Sequence, residues 1–187
     1  MRCLDIGPGS FPAPGFETLD AAPGANVTHV GRAEKPPFDD DTFDIVHSSH
    51  TIEHVQWYEA EATLREWVRI LKPGGVLEVW TVNAYAIMKE MVALEETGVW
   101  NGPEPVWKAN LTGGDPWLWG SGRMLNYPKS GSHGNLWLHR SLWSPAYLSS
   151  AMARCGLTDI RSLEKSELRG KDHKWINFGV RGVKCAR

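Results

Sequence analysis

The stretch "LDIGPGSFPAPGFETLD", residues 4–20, constrains the fold more than any other part of this chain. A hydrophobic strand leads into a turn that contains Gly7 and Gly9, as in folds that bind nucleotides at a glycine loop. Such a loop is normally followed by a helix, but Pro12 and Pro14 each remove a backbone donor and restrict the preceding residue. We therefore predict a glycine loop that lacks the helix after it.

The acidic residue that ends this stretch narrows the choice of ligand. Asp20 comes 11 residues after Gly9, whereas the dinucleotide fingerprint places its acid about 20 residues on and sets pyrophosphate on a helix N-terminus. S-adenosylmethionine carries no phosphate and would not need that helix. Gly7 and Gly9 lack Cβ and allow close approach, and Asp20 could accept hydrogen bonds from both ribose hydroxyls. These residues alone leave open a plain tight turn with Asp20 as a turn residue.

Strand-like and helix-like patterns alternate along most of the chain. Buried strands are predicted over residues 2–7, 16–20, 26–31, 43–48 and 76–82. Helices are predicted over residues 60–71, 84–97 and 145–155, the first of them stopped by "KPGG" at 72–75. The last two strands are predicted over residues 157–163 and 175–183, and the link between them is short enough for a hairpin.

This order predicts a fold class. We expect an α/β fold with a Rossmann-like open sheet of about seven strands, mostly parallel, with one antiparallel strand from the C-terminal hairpin and helices on both faces. Residues 1–187 are expected to form a single domain. In such a sheet, ligands bind at the carboxyl ends of the strands.

The composition gives no support for a nucleic-acid partner, a membrane partner or a disulfide framework. The net charge of −2 at pH 7 gives no support for nucleic-acid or membrane binding, and no apolar run approaches the length of a membrane span. The three scattered cysteines, Cys3, Cys155 and Cys185, indicate neither a disulfide framework nor a zinc knuckle. We expect a cytoplasmic monomer or homodimer.

Four segments in order resemble the class I S-adenosylmethionine-dependent methyltransferases, particularly the small type with a shortened region after the first strand. "LDIGPG" is similar to their first motif, and the "LD" that ends at Asp20 to their ribose-binding acid. "KPPFDDDTFDIVHSSHTIEHV" (35–55) resembles the stretch from the adenine loop through the fourth strand. "REWVRILKPGGVLEVWTVN" (65–83) and, more loosely, "HRSLWSPAYLSSAMARCGLTDIRSL" (139–163) resemble the later helices and strands.

The resemblance implies methyl transfer from S-adenosylmethionine, with S-adenosylhomocysteine as product, and a set of cofactor-binding residues after the first four strands. These residues are Asp5, Gly7, Gly9, Asp20, Arg32, Ala33, Ser48, Ser49 and His50. At the position of Arg32 many family members carry an acidic residue. The chain begins one turn before its first strand, so the usual N-terminal helix over the pocket is expected to be absent.

Histidines raise two further questions. "HTIEH" (50–54) fits the His-x-x-Glu-His zinc pattern, or else marks the start of a helix after the fourth strand. No third ligand is evident from the sequence, so we predict no metal site. A hydroxyl or amine acceptor can require a general base, for which the candidates are His50, His133 and His139; each could equally be an ordinary surface or core histidine.

The chain contains ten tryptophans, six of them between residues 100 and 143. We predict that the Trp- and Gly-rich insert 98–143 forms the acceptor-side wall or a lid, with Trp117 and Trp119 contacting a small-molecule or sugar-containing acceptor. The alternatives are tryptophans that fill the core or form a dimer contact. The predicted function is methyl transfer; the alternative is a non-catalytic cofactor-binding domain that acts as a sensor or partner subunit.

Overall fold

The computed structural model describes residues 1–102, 112–125 and 138–186, and within these ranges seven strands form one sheet in the order β3-β2-β1-β4-β5-β7-β6. β7 is antiparallel to both β5 and β6, and the other pairs are parallel. This confirms the predicted Rossmann-like sheet. The strands are β1 (Cys3–Ile6), β2 (Glu17–Asp20), β3 (His29–Val30), β4 (Phe43–Ser49), β5 (Leu71–Val82), β6 (Leu157–Leu163) and β7 (Asn177–Lys184).

Four helices accompany this sheet in the described ranges. Local signals define two of them: the Asn83 side chain accepts the Ala86 N–H at the start of α2, and Ser144 caps α4 in the same way. None of the helices in these ranges is long and apolar enough to span a bilayer. The helices are α1 (Ala60–Arg69), α2 (Ala84–Thr97), α3 (Pro116–Leu125) and α4 (Pro145–Arg154).

The "KPGG" segment differs from its prediction. α1 ends at Arg69, and β5 already begins at Leu71, so residues 72–75 lie inside the strand. Leu71 pairs with Phe43, but the register then shifts before the next pair. Proline and glycines at this place therefore form an irregularity in a long strand, not the turn that separates helix from strand.

The third strand is also shorter than predicted, at two residues instead of six. Before β3, side-chain hydroxyls take the place of the backbone hydrogen bonds that regular strand pairing with β2 would make. Thr18 N donates to Thr28 Oγ1 (2.7 Å), and Thr28 N donates to Thr18 Oγ1 (2.8 Å). The Thr18 hydroxyl also donates to Asn26 O. Because these backbone groups are satisfied by hydroxyls, the chain stays close to β2 without forming regular strand pairing.

No helix follows β1, as the prolines predicted; residues 7–16 form turns. The loop is fastened to the sheet by the carboxylate of Asp5, which is 1% exposed. Its Oδ2 accepts the Ala13 N–H at 2.8 Å, and its Oδ1 lies 2.8 Å from Nδ1 of His47 on β4. The loop therefore lies against the sheet where a helix would otherwise pack.

The two faces of the sheet differ in polarity. One face is apolar and packs on α1 and α4. The other carries the buried row Asp5, His47 and Glu78, which are register neighbours on β1, β4 and β5. Arg169, from the segment between β6 and β7, donates to Glu78 at 2.9 Å and lies over the ring of Phe16. Two connecting segments thus cover this polar row.

α3 lies inside the segment that was predicted to form a lid, and it belongs to the core instead. Trp119 is 3% exposed and stacks on Trp175, with ring centroids 5.8 Å apart. A Cβ on Gly120 would lie 2.5 Å from Met91 Sδ, so this glycine permits close packing of α3 on α2. The burial of Trp119 favours the alternative that this tryptophan fills the core over the predicted contact with an acceptor, because large aromatic surface is stabilised by burial.

We expect Trp119→Ala to lower the free energy of unfolding by about 3–5 kcal/mol, since it leaves a cavity between α2, α3 and Trp175. Trp117→Ala is the matched control, because this tryptophan lies on the same helix but is 43% exposed; we expect a change of about 0.5 kcal/mol or less. Urea unfolding measures both. Equal losses in the two variants would contradict the core assignment.

Candidate functional site

A cavity of about 280 Å³ opens at the carboxyl ends of β1, β2, β3 and β4. Its walls come from residues that directly follow these strands and from the start of the segment before α4. Six of the nine residues predicted for cofactor binding line it: Gly7, Gly9, Asp20, Arg32, Ala33 and His50.

Asp5, Ser48 and Ser49 do not line the cavity. The Asp5 carboxylate is used by the loop and by His47, as described above, and the Ser48 hydroxyl donates to Ile6 O at 3.0 Å. Ser49 packs against Gly170 on the polar face of the sheet. Strand alternation directs these side chains onto the two faces of the sheet and not to the strand ends, and their predicted contact with the cofactor stays a prediction.

The two glycines of the loop act differently. At Gly7, which has φ +70°, a Cβ would lie 2.0 Å from Oγ1 of Thr51, and the Thr51 hydroxyl donates to Ile6 O at 3.0 Å. Gly7 therefore allows the end of β1 to contact the residue after β4. At Gly9, with φ +51°, a Cβ would meet no protein atom within 4 Å. Gly9 is the position at which backbone faces open cavity space.

The wall beyond β2 and β3 carries three charged groups. Asp20 ends β2, and its Oδ1 accepts the Ala22 N–H at 3.1 Å, which orients the carboxylate. Arg32 is largely exposed and pairs with Glu34 at 2.7 Å. Glu34 also lines the cavity, although the sequence analysis did not select it.

His50 occupies the strained end of β4. Its φ of 58° lies in the left-handed region, which side chains with a Cβ rarely adopt. Nδ1 lies 2.8 Å from Oε1 of Glu53, and Nε2 lies 2.7 Å from Oδ1 of Asn177. The ring of His173 is 4.1 Å away, centroid to centroid. The imidazole is thus fixed from three sides at the edge of the cavity.

Glu53 sets the charge of this corner. Its side chain is buried, and its second oxygen accepts the Thr81 hydroxyl at 2.9 Å. Burial alone would raise the pKa of Glu53, but the charge and hydrogen bond of His50, with smaller contributions from His54 and His139, lower it to about 2. Burial would lower the pKa of His50, and Glu53 outweighs this and raises it. Burial and the charge of His50 lower the pKa of His173 to about 3.

Of the other two histidines proposed as bases, His133 lies outside the described residues. His139 is half-buried beside the cavity and is not part of its lining; burial lowers its pKa. Its Nδ1 donates to Met124 O at 3.1 Å, and its ring lies 5.0 Å from that of His54, which does line the cavity.

Arg140 is a cavity residue that sequence reasoning missed. The backbone N–H groups of Arg140 and Ser141 donate to Glu53 O, at 2.7 Å and 3.2 Å. In the described part of the insert, the contribution to the cavity therefore comes from its C-terminal end, and Trp117 and Trp119 are not among the lining residues.

The His-x-x-Glu-His pattern does not form the helix that a zinc protease needs. Residues Ile52–His54 form a single 3₁₀ turn, so His50 and His54 do not face one ion from successive turns of an α-helix. The fold nevertheless brings another histidine to the pattern: Glu53, His54 and His139 each offer one ligand atom, and these atoms lie within 4.8 Å of one another.

Comparisons with known proteins agree with this architecture. A family model described as "Methyltransferase domain" matches residues 15–79. The uncharacterized protein YafE of Escherichia coli (strain K12) is 51% identical over 56 residues, which are 30% of this chain and 26% of that protein. The matched part thus spans about a quarter of the length of this curated relative.

Solved structures share the fold along nearly the whole chain. A Thermotoga maritima protein described as a "SAM-dependent methyltransferase, possible histamine N-methyltransferase" has a TM-score of 0.59 at 20% identity, over 98% of this chain and 82% of that one. The YcgJ protein of Bacillus subtilis has a TM-score of 0.54 at 16% identity, over 100% of this chain and 92% of that one. At these identities the likeness establishes the fold.

Proposed function

We propose that the chain is a class I S-adenosylmethionine-dependent methyltransferase domain that transfers the methyl group of S-adenosylmethionine to a small-molecule or sugar-containing acceptor; the family model over residues 15–79 and the fold support this proposal. One observation supports this most: Gly9, with open space beside its Cα, and the Asp20 carboxylate line the same cavity. That pair suits a ligand with a ribose diol and no phosphate.

The residues of the cavity fit this cofactor and not a dinucleotide. Residues 7–16 contain turns and no helix, so no N-terminal dipole is available there for a pyrophosphate. Asp20 would accept hydrogen bonds from the ribose hydroxyls, and Gly9 would contact the methionyl part. Arg32, Ala33 and Glu34 would flank the adenine.

On the acceptor side the chain's own residues have three tasks. When bound, S-adenosylmethionine supplies an electrophilic methyl carbon on a sulfonium. His50, whose Nδ1 donates to Glu53, would accept the proton of an acceptor hydroxyl or amine at Nε2 once that nitrogen is deprotonated and exchanges Asn177 Oδ1 for the acceptor. Arg140 would orient the acceptor, and Arg140 and His54 together would keep water out, since alignment provides much of the rate enhancement in such displacements.

The proposal also covers the cellular setting, the class of acceptor and the oligomeric state. Cys3, Cys155 and Cys185 are all free thiols, which suits a reducing, cytoplasmic setting. The small net charge of −2 disfavours a nucleic acid as acceptor. We propose a single domain that works as a monomer or homodimer.

Asp20→Ala should weaken S-adenosylhomocysteine binding about ten- to a hundredfold, because it removes charge-assisted hydrogen bonds to the ribose. Isothermal titration calorimetry measures the affinity, with NAD as a ligand that wild-type protein should not bind. Asp44→Ala is the control, since this carboxylate lies on the opposite end of the sheet, bonded to Arg2 N and Lys72. Wild-type protein that binds NAD but not S-adenosylhomocysteine would overturn the proposed function.

Gly9→Val should abolish S-adenosylhomocysteine binding, because the new side chain would enter the cavity. Gly15→Val is a matched control: both glycines have positive φ, at +51° and +78°, and a Cβ on either meets no protein atom within 4 Å, but only Gly9 lines the cavity. The two variants should lose similar stability in thermal unfolding and differ in affinity. Equal affinities would show that Gly9 serves the turn alone.

His50→Gln separates an enzyme from a domain that only binds the cofactor. We expect its affinity for S-adenosylhomocysteine to stay within about threefold of wild type, while S-adenosylhomocysteine release from S-adenosylmethionine falls by about two orders of magnitude or more. The assay screens hydroxylated and aminated small molecules and sugars as acceptors. His29→Gln, on the far edge of the sheet, is the control. Full turnover in His50→Gln would remove His50 from the reaction.

A further inference from the structure

We propose that Glu53, His54 and His139 form a binding site for a divalent transition metal ion at the wall of the cavity. Two imidazoles and one carboxylate offer ligand atoms within 4.8 Å of one another. Nitrogen and oxygen donors of these types bind zinc and iron(II), whereas magnesium and calcium prefer oxygen alone. Sequence reasoning predicted no metal because the "HTIEH" pattern showed no third ligand; the fold supplies one from far along the chain.

The backbone holds the two parts of this cluster together. Glu53 and His54 lie in the turn after β4, and His139 lies in the segment before α4. Glu53 O accepts the N–H groups of Arg140 and Ser141, and the Ser141 hydroxyl donates to Ile52 O at 3.0 Å. The ligands are therefore positioned by main-chain hydrogen bonds, which is a requirement for an organised metal site.

Both imidazoles are set in the tautomer that coordinates a metal through Nε2. A carbonyl oxygen can only accept, so the Nδ1 of His54, 3.1 Å from Leu138 O, and the Nδ1 of His139, 3.1 Å from Met124 O, carry the hydrogen. In the neutral ring Nε2 then bears the lone pair. Histidine ligands in metal sites commonly donate their other N–H to a backbone carbonyl in this way.

Glu53 matches the usual surroundings of a ligating carboxylate. Its two oxygens already contact Nδ1 of His50 and the Thr81 hydroxyl, and each oxygen retains capacity for another partner. Hydrogen bonds of this kind orient a carboxylate toward its metal. The Glu53 side chain is 2% exposed and already pairs with His50, so a metal ion would meet a carboxylate whose orientation is fixed.

The spacing requires only a small closure. Two ligands of a tetrahedral ion, each about 2.1 Å from the metal, are about 3.4 Å apart, and the ligand atoms now lie within 4.8 Å. The ligand atoms must therefore approach one another by up to about 1.4 Å for all three to reach one ion. Three protein donors leave a coordination position for another ligand, beside His54 and Arg140 of the cavity wall.

The test uses full-length protein that has been stripped with EDTA and carries no histidine tag. Calorimetric titration with Zn²⁺ should give one ion per chain, and Co²⁺ should produce visible d–d absorption, whereas Mg²⁺ should not bind. His54→Ala and His139→Ala should each lower Zn²⁺ affinity at least about tenfold. Zn²⁺ should raise the melting temperature of wild-type protein more than that of either variant.

The control is His29→Ala, which removes an imidazole that also contacts a glutamate, Glu17 at 2.8 Å, and should leave Zn²⁺ affinity unchanged. Thermal unfolding in EDTA verifies that each variant is folded, and two separate ligand variants keep the test decisive if one is not. Zn²⁺ affinity that is the same in wild type and in both ligand variants would overturn the site. Because no cofactor is present, this result is independent of S-adenosylhomocysteine binding.

Discussion

The hydrogen bonds of the buried Asp5 carboxylate hold a loop against the sheet after β1, at the place where this type of fold normally has a helix. Asp5 lies in β1, an interior strand of the sheet, where a buried polar group requires hydrogen-bond partners. β4 provides Nδ1 of His47, directly opposite in the register, and the loop provides the N–H of Ala13. The loop therefore cannot extend away from the sheet, and Pro12 and Pro14 limit it to turns.

This constraint extends across the sheet and into the cavity. With His47 in place, the next strand presents Glu78, which is satisfied by Arg169 from the segment between β6 and β7. The polar row is thus closed by two connecting segments that meet at Phe16. The same loop places Gly9 in the cavity wall. Asp5 does not line the cavity, but by holding the loop it determines where Gly9 lies.

Local sequence signals predicted those parts of the fold whose causes are local. The prolines after Gly9, the capping Asn83 and Ser144, and the glycine after α2 act within a few residues, and the corresponding elements were predicted well. The sequence could not decide between core and acceptor contact for Trp119, because the environment of this side chain comes from distant residues: Met91 on α2 and Trp175 before β7 lie next to α3. A glycine beside a tryptophan indicates mobility only when no partner helix needs the space.

The two halves of the site differ in the same way. The part proposed to bind the cofactor consists of residues at the ends of successive parallel strands, so strand order alone brings Gly9, Asp20 and Arg32 together. The part proposed to face the acceptor joins the turn after β4 to a segment some 85 residues later, through the bonds of Glu53 O with Arg140 and Ser141. Hydrophobic periodicity and short motifs concern residues that are close in sequence, so they cannot predict a contact between segments this far apart.

If the proposed function holds, acceptor choice resides in the part of the molecule that sequence patterns describe least. Glu53 links the two segments twice, by its backbone carbonyl to Arg140 and by its position among His50, His54 and His139. On this proposal, a change in the segment before α4 would shift the groups proposed to face the acceptor, while Asp20 at the end of β2 would stay in place. Two chains with this loop after β1 would then share a methyl donor and differ in the acceptor.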